Sequence, residues 1–420
     1  MTPQYTQQQI IFALNSIANA PSGRHGTVEQ LQSYAQNVIK QVFANAEVEK
    51  LIGQWELVWG TQVFQASHST VADNAMYVAQ NKTSPTEFVV AISGTNPISA
   101  YGWIIEDAKL LPTVPWPYSK PGKPAGSISS GTNTGLKVLM NTLTDEGQSL
   151  SNYLQHQVEK SSDPISITVT GHSLGGALSP AVALALLDSQ GVESGWDPKG
   201  TAEISVQPSA GPTPGDEAWR NYYDDNLATK TTRLWNKIDI VPHAWQLSML
   251  AEIPTLYTPE IPENLLIEKL VELAEINSKL AGNMQQICPT AEGLPGSINT
   301  SAEINIQELR EILETLIANG IIDRLGLPSA LKELIKNVVD EWIKHLNKQQ
   351  DVTVSVHKKT SLWSELKEKG ENLLKDEWSG FDNFINFLKQ AAYQHTTAYS
   401  VLLGTVQFSD LVSEIEKTVV

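Results

Sequence analysis

Around Thr170 the sequence changes its period within a few residues. Ile165, Ile167 and Val169 alternate with Ser166, Thr168 and Thr170, the two-residue repeat of a strand, and Leu174–Leu187 reads as an Ala/Leu-rich helix. Between them stands Gly171-His172-Ser173-Leu174-Gly175, the G-x-S-x-G pattern in a strand–turn–helix setting. A strand that becomes a helix so abruptly crowds its backbone, so a β-carbon at either flanking position would clash, which selects glycine. Such a turn exposes the Ser173 hydroxyl at the carboxyl end of a sheet. It also aims the helix N-terminus, with the amide of Leu174, at a developing anion. An ordinary Gly-rich β–α turn could use similar residues, but the strand before, the helix after and the continuing Gly176-Ala177 favour the chemical reading. Pro180 strains the pattern, because in the second helical turn it removes a hydrogen bond.

The flanking sequence extends this alternation. Residues 1–50 read as two helices, the second opened by a Thr27–Gln30 capping-box pair. Trp55–Phe64, Ala75–Gln80 and Phe88–Ser93 are strand-like, and the polar NKTSPTE joins the last two as a hairpin. A Pro-, Gly- and Ser-rich loop (Leu111–Gly131) precedes a helix around Gly135–His156. Beyond the Ser173 helix come a strand Ala202–Pro208, a helix near Glu217–Asp225 and a strand Thr231–Asp239. This order predicts an α/β fold with a mostly parallel central sheet and helices on both faces. After Pro242 the texture becomes helical: Leu265–Leu280, a run capped by Asn305 with Glu308, and a run opening near Pro328. The chain therefore divides into a core (1–261, with N-terminal helices in 1–50), an all-helical, cap- or lid-like insertion (262–385) and a return to the core (386–420).

A serine alcohol becomes a nucleophile only beside a base that a carboxylate orients. Asp239, in RLWNKIDIVP, ends an apolar strand, which puts it at the sheet edge where Ser173 emerges. Asp216 and Asp225 sit in polar, helix-starting contexts and read as caps. For the base, His243 lies too close to Asp239 to fold back, and His345 is on the polar side of an amphipathic helix. His357 closes the alternating VTVSVH, and His395 lies in QHTTAY as a loop residue before the last helix. His395 is preferred, with His357 the alternative. An oxyanion hole needs a second amide from the end of an earlier strand, and Thr95, after the close-approach glycine Gly94, supplies it.

With AISGTNP, GWIIED, GHSLGGAL, SAGPTPGDEAW, NKIDIVPHAW and QHTTAY in this order, the chain resembles the class 3 (fungal-type) lipase family of α/β-hydrolases. The resemblance covers roughly residues 55–245 and 385–405. It implies that Ser173 is the nucleophile, that Asp239 orients the histidine and that Thr95 forms the oxyanion hole. It also implies a short amphipathic lid at Pro97–Glu106, with Ile98, Tyr101, Trp103 and Ile104 as its apolar, acyl-binding residues. Ser93 stands where the family commonly has Arg, and the long stretch between Asp239 and His395 exceeds that of compact members.

Composition narrows the partners. With 29 Lys+Arg against 46 Asp+Glu among 420 residues, the net charge is −17, which disfavours nucleic acid and anionic lipid. Cys288 is the single cysteine, which excludes an intrachain disulfide or a Cys-clustered metal site. No metal or cofactor is expected. The N-terminal MTPQYTQQQ lacks the basic start of a signal peptide, so a cytoplasmic location is expected, with signal-independent secretion the alternative. The expected function is a serine carboxylic-ester hydrolase of the triacylglycerol lipase or esterase kind, acting on an apolar ester or acylglycerol, with phospholipase A1 as a variant of it. A non-catalytic, hydrolase-like protein that binds lipid or a partner is the alternative.

Overall fold

The computed structural model describes residues 2–67, 69–94, 110–120, 122–348 and 378–419. Its central sheet has five strands in the order β1 (Trp55–Phe64), β2 (Asn74–Asn81), β3 (Glu87–Ile92), β4 (Ser166–His172) and β5 (Glu203–Ser209). β1, β2 and β3 pair antiparallel, whereas β3–β4 and β4–β5 are parallel. The sheet is thus mixed, for a reason of connection length. The five-residue turn 82–86 can join only antiparallel neighbours, while the parallel pairs are bridged by helical crossovers.

The two-residue period of the strands distributes their side chains to both faces. Tyr77, Ala79, Val89 and Ala91 pack with helices α1 (Gln7–Ile17), α2 (Val28–Ala44) and α3 (Ala46–Ile52). Met76, Val78, Phe88, Val90 and Ile92 join the opposite core cluster, with Leu178 and Val182. Three helices thus occupy the stretch where the sequence indicated two. The Thr27–Gln30 capping box forms as expected, but Asn45 ends α2 and its Oδ1 accepts the Glu47 and Val48 amides, starting another helix. The single helix expected around Gly135–His156 is also divided, into α4 (Ser130–Lys137) and α5 (Leu150–Lys160). A π turn and a small hairpin through Gly147, at φ +80°, separate them.

After β4 comes α6 (Leu174–Asp188), then β5 and α7 (Glu217–Leu227). The expected strand Thr231–Asp239 is not a continuous strand. Isolated bridges from Thr231 and Leu234 touch β5, after which the chain bends away and Asp239 falls in a turn.

Beyond residue 262 lie α8 (Leu265–Ala281), α9 (Ile306–Ala318) and α10 (Ser329–Lys348). The segment is not all-helical as expected: residues 282–305 form a non-helical stretch in which Met284–Gln285 pairs with Gly215–Asp216 and Leu294 bridges to Asn236. Its apolar stripes meet in a cluster with Ile240, Trp245, Tyr257 and Phe384, apart from the two clusters that flank the sheet. The chain ends in α11 (Trp378–His395), α12 (Thr397–Leu402) and α13 (Val406–Thr418). α11 therefore begins within the stretch assigned to the insertion and carries His395 as its last residue. Among the described residues no helix is long and apolar enough to cross a membrane.

Candidate active site

The β4–α6 turn forces Ser173 to φ 59°, ψ −121°, a conformation that is strained for a residue with a β-carbon. The glycine pattern follows from contact distances. A β-carbon on Gly171 would stand 2.1 Å from the Gly175 carbonyl oxygen, and one on Gly175 would stand 2.4 Å from that of Ile92. The Ser173 N–H donates to the Ser209 carbonyl at 3.0 Å, tying the turn to β5. Leu174 opens α6, so its N–H is a first-turn donor that the helix itself cannot satisfy.

His395 reaches the serine from the end of α11. Its Nε2 lies 2.8 Å from Ser173 Oγ and its Nδ1 lies 2.9 Å from Asp239 Oδ2. Ser173, Asp239 and His395 are all buried. An acceptor-only carboxylate requires the proton on Nδ1, which leaves the Nε2 lone pair for the serine hydroxyl. The two residues preferred from the sequence as acid and base are therefore brought together with the nucleophile. His395 lies on a helix rather than in the expected loop.

The surrounding groups hold this arrangement. Tyr399 Oη donates to Asp239 Oδ2 at 2.9 Å and accepts the Asn236 N–H at 3.0 Å. The Val241 amide donates to Asp239 Oδ1 at 3.0 Å, and His243 Nδ1 lies 2.7 Å from the Asp239 carbonyl oxygen. Three donors thus fix the carboxylate, and His243 braces its backbone instead of competing as the base. His172 grips the base from the other side. Its Nε2 lies 2.8 Å from the His395 carbonyl and its Nδ1 lies 3.1 Å from Ser209 Oγ. Burial, with the neighbouring His395 adding to it, pushes the His172 pKa down to about 3, so its ring is neutral. A neutral ring fits one donated and one accepted bond. The sequence reading missed Tyr399 and His172 as supports. The spacing of four between His395 and Tyr399 was the available signal.

Gly94 places the end of β3 against the nucleophile. A β-carbon there would lie 3.2 Å from Ser173 Cβ and 3.0 Å from the His172 carbonyl oxygen. The Gly94 N–H donates to Asn19 Oδ1 at 2.8 Å. Thr95 follows directly but lies outside the described residues, as do Ile98, Tyr101, Trp103, Ile104 and His357.

Ser173 and His395 open into a cavity of about 560 Å³. Its described lining comes from residues 12–22, 94, 172–173 and 395–413, and none of it comes from 262–348. The two ends of the chain supply most of this wall.

The model of the family described as Lipase (class 3) matches residues 89–249. Among solved structures, M37 lipase superposes with a TM-score of 0.64 at 27% identity, covering 82% of this chain and 100% of that one. Among curated proteins, Phospholipase A1-II 3 of Oryza sativa subsp. japonica is 26% identical over 197 residues, 44% of this chain and 43% of the relative. Phospholipase A1-Igamma2, chloroplastic, of Arabidopsis thaliana is 23% identical over 301 residues, 69% of this chain and 53% of the relative. The chain thus spans about half the length of the curated relatives it matches. The match takes in the serine elbow and Asp239, and His395 reaches them from outside it, so residues 89–249 are similar to the class 3 lipases.

Proposed function

We propose that the protein is a serine carboxylic-ester hydrolase that cleaves apolar lipid esters through an acyl-enzyme. The observation that carries this reading is the unbroken chain Ser173 Oγ–His395 Nε2, His395 Nδ1–Asp239 Oδ2 at 2.8 and 2.9 Å. His395 takes the serine proton as Oγ attacks the ester carbonyl carbon. The tetrahedral oxyanion is received by the Leu174 amide, with Thr95 as the second donor that the family resemblance implies. The carbon–oxygen bond to the alcohol then breaks, and His395 delivers its proton to the departing alkoxide. Water, deprotonated by the same histidine, releases the carboxylic acid and restores Ser173. Asp239 stays ionised throughout and stabilises the imidazolium.

An acylglycerol is the substrate class this reading favours, and an acidic surface of net charge −17 favours neutral or zwitterionic aggregates over anionic ones. Phospholipase A1 activity is the second reading, supported by the names of the curated relatives. Fluorophosphonate labelling of Ser173, together with hydrolysis of p-nitrophenyl esters of rising chain length, emulsified triglyceride and phosphatidylcholine, tests both readings. Absence of labelling in the folded protein would leave the non-catalytic alternative standing.

A further inference from the structure

The cavity at Ser173 does not end at the triad. A second cavity of about 370 Å³ shares Ser16, Asn19, Ser22, Ser409 and Ser413 with it, so the two form one groove. One wall is the end of α1 and the loop after it, and the other is α13. The α1 wall is tied to the reacting centre, because Asn19 accepts the Gly94 N–H at 2.8 Å and Ser22 Oγ donates to the Gly94 carbonyl at 3.3 Å.

The chemistry of the groove changes along its length. Near Ser173 it is walled by Phe12, Val401 and Val406. Its middle is lined by the five shared hydroxyl and amide side chains, and its far end by Arg24, Tyr34 and Glu416. An acyl chain gains nothing from such a lining, whereas the glycerol and polar group of a lipid ester would hydrogen-bond along it. The Arg24 guanidinium stacks 3.6 Å above the Tyr34 ring, which sets its plane and leaves its edge N–H groups for an oxyanion. Among the described residues no carboxylate lies within ion-pair distance of Arg24. Asp410 and Glu416 also border the groove, so a ligand that is only anionic would meet two carboxyl groups. A phosphodiester that also carries an ammonium group matches both signs.

We propose that the groove between α1 and α13 receives the alcohol portion of the ester, and that Arg24 selects a zwitterionic phosphodiester head group, of the phosphocholine or phosphoethanolamine kind. The inference rests on Ser173 being an ester-hydrolysing nucleophile and deepens the second, phospholipase A1, reading of that site.

The test compares kcat/KM on dispersed short-chain phosphatidylcholine with that on the diacylglycerol bearing the same acyl chains. Arg24→Gln should lower the phosphatidylcholine to diacylglycerol ratio at least tenfold, mainly through KM. Ser413→Trp, which fills the groove at an exposed position, should lower it in the same direction. In the parent, glycerophosphocholine should inhibit competitively, and Arg24→Gln should lose that inhibition. An unchanged ratio in both variants, or a parent that glycerophosphocholine does not inhibit, would overturn the subsite while leaving the hydrolase reading intact. A parent that neither cleaves any ester nor takes the fluorophosphonate would instead overturn the hydrolase reading on which the subsite depends.

Discussion

Helices α6 and α9 are close in length, 15 and 13 residues, yet they are built for different surroundings. All of α6 except Leu187 is buried, because the sheet covers one side and α4 and α7 cover the rest. Helix α9 buries Leu309, Ile312, Leu313 and Leu316 in one stripe and leaves an Arg310–Glu314 pair, 3.5 Å apart, half-buried beside it, with Ile306 and Ala318 exposed at its ends. A helix buried all round cannot shift without opening voids, so the turn at its start is held as rigidly as the core. A helix buried along one stripe can adjust. The protein sets its nucleophile on the first kind and builds the segment after Asp239 from the second.

The largest effect that would sharpen this contrast comes from the chemistry itself. Ser173→Ala and His395→Ala should each lower kcat on esters by on the order of 10⁶ with the fold retained, because triad members act as one unit. Activity within tenfold of the parent in either variant would remove the rigid turn from the mechanism.

Next come matched cavities in the two helices. Leu184 in α6 and Leu313 in α9 are both fully buried, and replacing either with Ala should cost about 2–5 kcal/mol of stability. Below the unfolding transition, only Leu184→Ala should lower kcat on a soluble ester. Equal losses of kcat would erase the distinction between the two regions.

Tyr399→Phe removes one of the three donors on the Asp239 carboxylate and leaves the Asn236 amide without its acceptor. A hydrogen bond to a charged group contributes about 1.5–3 kcal/mol, so kcat should fall roughly ten- to hundredfold with KM little changed. A change confined to thermal stability would make Tyr399 a packing residue only.

The smallest effect depends on pH and belongs to α9. Burial pushes the Glu308 carboxyl up to about 6, and its Oε1 has no hydrogen-bond partner among the described residues. A carboxyl whose pKa is raised by folding binds its proton more tightly in the native state. Its stabilisation is therefore complete below the unfolded value near 4.5 and is lost as pH rises through about 6. Glu308→Gln should raise the unfolding free energy at pH 8 by on the order of 1 kcal/mol, and the melting temperature with it, and change both little at pH 4. An equal shift at both pH values would assign the gain to packing.

Legibility differed along the chain for a physical reason. Local rules were sufficient for the β4–turn–α6 unit, because each glycine there answers to a neighbour only a few residues away or on the adjoining strand. They were also sufficient for the β2–β3 hairpin, whose short polar turn admits one pairing, and for the Thr27 capping box. They failed at Thr231–Asp239, where an apolar, strand-like run is broken by non-local ties. Asn236 Nδ2 bonds Gln394 Oε1 at 2.7 Å, and Asn236 N–H bonds Tyr399 Oη, which pulls the chain out of the ladder toward the C-terminal helices.

The sequence by itself brought out Ser173, Asp239 and His395 as candidate nucleophile, acid and base, and the α/β architecture, since elbow chemistry and hydrophobic period are properties of short segments. Only the tertiary structure decided that Tyr399 and His172 hold the acid and base in register, and that the first and last helices wall the groove at Ser173. Those partners are separated by up to hundreds of residues. No periodicity within one segment encodes which distant segment will cover it.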